Sequence, residues 1–378
     1  MQSATKADPK ETLMNHPDLN APRPAAWSGI DVAKATFEAA LYLPHPQNDA
    51  PRRVASLPTH SFQRSPQGVA QWLAWCDRKL ADHGRDQKLD QPPPLRACME
   101  ATGRYSLELA AWILQARPAV EPAIIDPLAA HHYAKSLRMR NKTDKVDAAV
   151  LSRMGYERRF APSAPLPEPY ATLRQLTRQR DFLMGQLQAC RLRAQEMEAW
   201  PHLLEIQQVV IKEQKKAISK LDRLINKHVA SQSELREAVR RLRTLPGVGR
   251  LTAVVILAEL GDLRRFETSR QTASFAGLNP KLFESGTSVQ YETHLSKQGP
   301  SRARKVLYMS AMSILRTQGP LRQYYDRLLK AGKCKMAALG VLMRKQLVLM
   351  RAVLVGQCDY DPGFVKRPAA AAGVAACG

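Results

Sequence analysis

An aspartate inside a strand-like apolar run constrains this chain more than any other single feature. In Trp27-Ser28-Gly29-Ile30-Asp31-Val32-Ala33 one acid interrupts a short apolar segment; Lys34 follows, then an alternating stretch over residues 36–43. The pattern reads as two successive strands. Taking an unpaired carboxylate out of water costs several kcal/mol, so Asp31 must either be hydrogen-bonded in a turn or hold a metal ion. The local sequence admits both.

A second run of the same kind, Leu95-Arg96-Ala97-Cys98-Met99-Glu100, also delivers an acid at its C-terminal end, and Gly103 then lets the chain turn into a helix over residues 106–116. Further strands are expected over 53–62 and 120–126, helices over 66–83 and 128–136, and a charged, proline-ended loop over 85–94. This alternation describes a mixed α/β sheet, in which ligands gather at strand C-terminal ends. Asp31 and Glu100 both sit at such ends. The stretch Asn141-Lys142-Thr143-Asp144-Lys145-Val146-Asp147-Ala148 supplies two more acids. On a helix, Asp144 and Asp147 would leave one face with their Cβ atoms about 5–6 Å apart. Asn141 or Thr143 can cap that helix, and Val146, Ala149, Val150 and Leu151 give it a side to bury. Acids in a first turn also complement the helix dipole with no ligand at all. Taken together, the four carboxylates form an oxygen-only donor set suited to Mg²⁺ or Mn²⁺ and to phosphoryl transfer.

Charge narrows the partner. The 378 residues carry 57 Lys and Arg against 34 Asp and Glu, a net charge of +23, which points to a polyanion, with nucleic acid the default. An acidic cluster in so basic a chain is reconciled by a metal ion lying between carboxylates and phosphate. No apolar run approaches the roughly 20 residues of a membrane span, and the first residues are polar without a secretory core. A cytoplasmic protein without membrane contact is expected. The six cysteines are scattered, without a CxxC pair or zinc-finger spacing, so neither a disulfide framework nor structural zinc is indicated.

After a proline-rich linker at 162–169 the composition turns helical for about eighty residues. Leu173, Leu176, Leu183, Leu187, Cys190, Ala194 and Met197 follow a 3–4 repeat interrupted by Arg180, the pattern of a coiled-coil seam. Trp200-Pro201 breaks it, and Ile211, Ile218, Leu221 and Ile225 restart it. Lys212, Lys215, Lys216, Lys220, Arg223 and Lys227 crowd the outer face; they read as a solvated helix face or as an arm for nucleic acid or dimer formation. Leu245-Pro246-Gly247-Val248-Gly249-Arg250 then places two glycines between helices. Its backbone N–H groups can face a phosphate, as in a helix-hairpin-helix, with Gly247, Gly249 and Arg250 at the contact; a plain interhelical turn is the other reading.

The segments GIDVAK, MEATG, KTDKVDA, LPGVG, FAGLNP, ESGTS and LSKQG, spread from Trp27 to about Val355, resemble the Insertion Sequence 110 family, the DEDD transposases, which are related to the Piv DNA invertase. Seven such segments in the family's order and spacing are far more specific than any one. The resemblance implies an α/β N-terminal RuvC-like domain of RNase H fold, an α-helical coiled-coil segment and a mainly α C-terminal transposase domain. Along the chain this becomes a disordered leader over 1–25, the nuclease domain over 26–162, the helical segment over 163–243, the transposase domain over 244–356 and a flexible tail over 357–378. Asp31, Glu100, Asp144 and Asp147 match the family's metal-binding tetrad, and Ser285 its nucleophilic serine. From the residues alone, Ser288, Ser296 and Ser301 compete with Ser285, while Gly286 would let a phosphate approach closely. Lys281, Lys297, Arg302, Arg304 and Lys305 are expected to grip the strand. The resemblance further implies a guide RNA from the element's noncoding end, and the long helices suggest a homo-oligomer. The chain departs from the family pattern in its long leader, around residues 85–94 and in its Ala-rich tail. The expected activity is DNA recombination. A metal-dependent junction-resolving nuclease using water would keep the tetrad without Ser285, and a non-catalytic nucleic-acid-binding protein would need neither.

Overall fold

A computed structural model of the chain describes residues 25–44, 53–139, 143–163, 166–281, 284–285, 289–290 and 294–363. The expected leader, most of the tail, Asn141, Gly286 and Ser288 lie outside the described residues. The chain divides into two units, residues 1–165 and 166–378. The helical segment expected over 163–243 and the domain expected over 244–356 therefore fall almost entirely in one unit.

The first unit is built on a five-stranded sheet ordered β3-β2-β1-β4-β5. Its strands are β1 (Ala26–Val32), β2 (Thr36–Tyr42), β3 (Thr59–Gln63), β4 (Leu95–Glu100) and β5 (Ala123–Ile125). The three residues 33–35 fold β1 back on β2, and β3 adds antiparallel to β2. β4 and β5 run parallel to β1, which requires crossovers. α1 (Pro66–Asp86) and α2 (Arg104–Ala116) provide them. The two-residue period of the strands then separates two faces. Ile30, Val32, Phe37, Ala39 and Leu41 pack with Val69, Trp72, Leu109 and Ile113 of α1 and α2. Trp27, Ala40, Tyr42 and Cys98 pack on the other side with α3 (Pro127–Ser136) and α4 (Asp144–Arg158). Two strands are shorter than the sequence suggests. Residues 54–56 form a 3-10 turn and Pro58 delays β3, while Pro118 and Pro122 bracket a second such turn ahead of β5.

The second unit is mostly helical. α5 (Tyr170–Glu196) and α6 (Pro201–Ser231) form an antiparallel hairpin, tied by the ion pair Arg180–Asp222 at 2.6 Å and by Gln207 donating to the Cys190 carbonyl at 3.1 Å. Arg180 thus occupies the polar break in the apolar seam. Leu173 and Leu187 are buried, and Leu176, Leu183, Cys190, Ala194 and Met197 are half-buried. The base of the hairpin shares one core with α7 (Ser233–Leu242), α8 (Arg250–Leu260), α10 (Ser301–Ile314), α11 (Pro320–Lys330) and α12 (Lys335–Val355). The short α9 (Ser269–Phe275) carries a capping box between Thr268 and Gln271. Between α9 and α10 lie four two-residue strands: β6 (Pro280–Lys281) paired with β9 (His294–Leu295), and β7 (Glu284–Ser285) paired with β8 (Val289–Gln290). Beyond α12, Asp359 pairs with Arg240 and the Tyr360 amide donates to the Thr244 hydroxyl, so the described part of the tail returns to α7. Among the described residues no helix is long and apolar enough to cross a membrane.

Candidate active site

Small residues let α4 lie directly on the sheet. A Cβ on Gly29 would collide with the Ala148 carbonyl and the Ser152 amide, and one on Gly155 would stand 2.6 Å from the Trp27 ring. The Ser152 hydroxyl donates to the Trp27 carbonyl at 2.9 Å and the Cys98 thiol to the Leu151 carbonyl at 3.1 Å. The N-terminus of α4 is set by Thr143, whose hydroxyl accepts from the Val146 amide at 3.3 Å. With Ala148 above Gly29, the first turn of α4, bearing Asp144 and Asp147, overhangs the end of β1.

The sheet register aligns acids beneath that turn. Gly29 pairs with Cys98 and Ile30 with Met99 in the parallel ladder, so Asp31 and Glu100 follow side by side on the α4 face. In the antiparallel ladder Asp31 pairs with Glu38, whose neighbour at i+2, Ala40, packs on the same side. Glu38, Asp31 and Glu100 therefore form a row across three adjacent strands. Glu38 was not among the sequence candidates. The short turn at residues 33–35 carried the signal, because it fixes which residue of β2 faces Asp31.

The row is felt electrostatically. Burial, then the charges of Asp144, Asp147 and Glu100, push the Asp31 carboxyl up from 3.8 to about 6, against a lowering hydrogen bond from the Val32 backbone. The three other acids singled out in the sequence thus all act on Asp31. Among the described residues no three Asp, Glu, His or Cys side chains are drawn together tightly enough to coordinate one ion as they stand. The donor chemistry nevertheless fits a hard divalent cation. The donors are all oxygens, and two nearby in the chain, Glu38 Oε2 and Thr102 Oγ1, are buried without a hydrogen-bond partner.

In the second unit the sequence candidates divide. Gly247 has φ +77°, and a Cβ there would stand 2.5 Å from the Ser310 carbonyl and 2.8 Å from Ile314, so close helix packing accounts for it. The Ser310 hydroxyl donates to the Gly247 carbonyl at 2.7 Å. Gly249 faces open space at the N-terminus of α8, and the exposed Arg250 donates to the Asn226 side chain at 2.8 Å. Lys281 and Lys297 are exposed, and Lys305 is exposed while pairing with Asp181 at 3.3 Å. Arg302 points inward, donating to Glu259 at 2.6 Å, to Asp181 at 3.2 Å and to the Thr177 carbonyl at 2.6 Å. Arg304 also turns inward, toward the carbonyls of Ala276 and Gly299. Ser285 ends β7 opposite Val289. Of its competitors, Ser296 donates its amide to the Asn279 carbonyl and Ser301 opens α10.

Known proteins match along most of this framework. A model of the IS110-type DEDD transposase covers residues 28–197, the sheet, α4 and α5. A second, described as transposase IS116/IS110/IS902 family, covers residues 239–326, from α7 through the Ser285 segment to α11. The chain belongs to this transposase family. Its RNase H-like DEDD domain is the mixed-sheet unit, followed by a mostly helical region. The family comprises transposases and recombinases, enzymes that cleave and rejoin DNA. Relatives include the pilin gene-inverting proteins of Moraxella bovis and Moraxella lacunata, each 29% identical over 89% of this chain and 97% of the relative. The transposase for insertion sequence element IS1111A of Coxiella burnetii is 38% identical over 21% of this chain and 22% of its own.

Proposed function

We propose that this DEDD transposase cuts and rejoins the DNA of its insertion element with Mg²⁺ or Mn²⁺ held by Asp31, Glu100, Asp144 and Asp147 and with the Ser285 hydroxyl as nucleophile. The observation that carries the reading is the response of Asp31 to the other three acids, which come from two strands and one helix turn separated widely in sequence. Four acids gathered in a chain of net charge +23 make a polyphosphate site sensible only if a cation stands between carboxylates and phosphate. A bound divalent ion supplies charge neutralisation to the transferring phosphoryl group. Asp31 and Glu100, placed by strand pairing, and Asp144 and Asp147, placed by the α4 cap, are the residues that would hold it.

Attack by Ser285 Oγ forms a phosphorus–oxygen bond to the enzyme and breaks the bond to the departing sugar oxygen, which takes up a proton as the serine loses one. The product is a 5′-phosphoserine or similar ester, whose reversal rejoins DNA without an external energy source. The positive balance also suits a structured guide RNA, with Lys212, Lys215, Lys216, Lys220, Arg223 and Lys227 exposed on the α5–α6 hairpin; the exposed apolar Leu203, Ile206 and Val209 of the same hairpin suit a homo-oligomer. The compartment is the cytoplasm, where the element's DNA lies.

A nicked suicide duplex copied from the element end, incubated with protein, transcript of the element's noncoding end and Mg²⁺, tests the reading. A covalent protein–DNA adduct is expected from the unaltered chain and none from Ser285→Ala. Full-rate cleavage by Ser285→Ala would make water the nucleophile and the protein a nuclease.

A further inference from the structure

We propose that Arg304 is a positioning residue that fastens together the two ends of the segment presenting Ser285, and does not grip DNA. The proposal rests on the serine reading above. Residues 276–279 lead into that segment and residues 296–299 lead out of it. The two limbs touch backbone to backbone: the Ser296 amide donates to the Asn279 carbonyl at 2.8 Å and the Lys297 amide to the Gly277 carbonyl at 3.1 Å. Pro280 and Lys281 then pair with Leu295 and His294.

Two glycines make the approach possible. Gly277 has φ +69° and Gly299 φ +139°, values that other residues rarely adopt. A Cβ on Gly277 would stand 2.6 Å from the Gln298 carbonyl, and one on Gly299 would run into the Phe275 carbonyl and lie 3.0 Å from the Gly277 amide. The limbs therefore cross at backbone contact distance, with no side chain between them.

Arg304, in the first turns of α10, spans the crossing. Its Nη1 donates to the Ala276 carbonyl on the entry limb at 3.2 Å and to the Gly299 carbonyl on the exit limb at 2.8 Å. One NH2 group thus uses both hydrogens to join the limbs, and Gly277 leaves room for it, since a Cβ there would sit 2.8 Å from that nitrogen. The guanidinium is half-buried, and burial pulls its pKa down. Both Nη1 hydrogens are committed to these carbonyls, so the planar fork is oriented by the two limbs. α10 is itself seated in the core through Ala303, Leu307 and Ala311. The clamp therefore refers the ends of residues 282–293 to a rigid helix, and small displacements of a nucleophile cost large factors in rate.

The test uses the full-length chain, the nicked suicide duplex and the transcript described above, and compares Arg304→Ala, Arg304→Lys and Ser285→Ala. For Arg304→Ala the clamp predicts DNA affinity within about threefold of wild type, an unchanged salt slope, and adduct formation at saturating DNA slowed at least about 100-fold. Guanidinium at tens of millimolar, against an equal concentration of NaCl, should restore part of that rate. Arg304→Lys keeps the charge, so a phosphate contact would survive it. The clamp predicts instead that Arg304→Lys, lacking the planar fork, remains at least about tenfold slow, and this variant decides the matter if Arg304→Ala misfolds. Weakened binding with a salt slope reduced by about one, together with a normal rate at saturation, overturns the proposal. So does adduct formation by Arg304→Lys at the wild-type rate, whatever Arg304→Ala does. If Ser285→Ala cleaves normally, the serine reading fails on its own variant; if Ser285→Ala is dead and the Arg304 variants are normal, the clamp alone fails.

Discussion

The Ala148 carbonyl oxygen lies so close to Gly29 that a methyl group on Gly29 would occupy the same space. This contact sets the height of α4 over β1, and with it the distance from Asp144 and Asp147 to Asp31. Gly29→Ala must push the helix off the sheet or distort β1, because the colliding atoms are backbone and cannot rotate away. A loss of about 3 kcal/mol is expected, typical of severe overpacking. Cleavage should fall further than stability explains. Thermal unfolding and the adduct assay, run on the same preparation, check both; unchanged stability would show that the helix is seated by something else.

Asp31 makes stability depend on pH in a direction opposite to that of most paired carboxylates. Its folded-state value of about 6 lies above its ordinary 3.8, so between those limits the folded chain holds a proton that the unfolded chain has lost. Stability should fall as pH rises from about 4 to about 6 and stay low above that. Asp31→Asn, which cannot ionise, should remove this part of the fall and be the more stable protein at pH 7.5 in EDTA, although inactive. Millimolar Mg²⁺ should stabilise the wild type at pH 7.5 and leave Asp31→Asn nearly unmoved. Thermal melts at pH 4.5 and 7.5, with EDTA or Mg²⁺, read all four cases. Equal melting temperatures for both proteins throughout would remove Asp31 from any shared acidic site.

What the sequence disclosed about this site follows from the range over which its determinants act. Asp31 and Glu100 stand out because an acid within a short apolar run is a local anomaly, and the 3-residue spacing of Asp144 and Asp147 is a local helix property. Alternation alone puts Glu38 on one face of β2 without saying that it faces Asp31; that depends on register. A basic run at the start of a helix is exposed by default, so the sequence points Arg302 and Arg304 outward, toward a strand. Their inward course depends on α5, α8 and the limbs of the Ser285 segment, and Asp181 is 121 residues from Arg302. The long helices are legible from their apolar repeat, but their sharing of one core with α7, α8, α10, α11 and α12 depends on contacts that no local pattern encodes.

Arg302 yields a stability prediction that separates its inward role from DNA contact. Glu259 is almost wholly buried and, among the described residues, forms ion pairs with Arg302 at 2.6 Å and Arg178 at 3.0 Å. Burial pushes its carboxyl up, but the two guanidiniums outweigh this and hold it below its ordinary 4.5. Arg302→Ala leaves the buried carboxylate with the half-exposed Arg178 alone, and a cost of about 3 kcal/mol is expected. That corresponds to a melting temperature lower by roughly 6–12 °C for a unit of this size. In the wild type this stabilisation is present above pH 4.5 and is lost as pH falls through the lower folded value. Arg302→Ala should show a smaller acid-induced loss, measured by melts between pH 3 and 6. A variant as stable as wild type but with weakened DNA binding would return Arg302 to the strand.

Asp147 and Ser285 are borne by different units of the chain, so the two chemistries need not be completed within one subunit. Pairing of copies through the α5–α6 hairpin would let Ser285 of one chain serve the acids of another. Asp144→Asn lacks one carboxylate charge at nearly constant volume, and Ser285→Ala lacks only the nucleophile; each alone should form no adduct while still binding DNA. Mixed before assembly, the two proteins place a wild-type serine opposite a wild-type acidic tetrad in those assemblies that combine one of each. With random pairing, about half of two-chain assemblies are mixed, and each mixed assembly holds one intact site of two, so roughly a quarter of wild-type activity is expected as an upper estimate from independent sites. The adduct must then be found on the Asp144→Asn chain, which carries the serine, and a size tag on either protein identifies it by gel mobility. If the mixture remains dead while size-exclusion chromatography shows that the two variants have assembled together, the site is built within one chain and the shared arrangement is wrong.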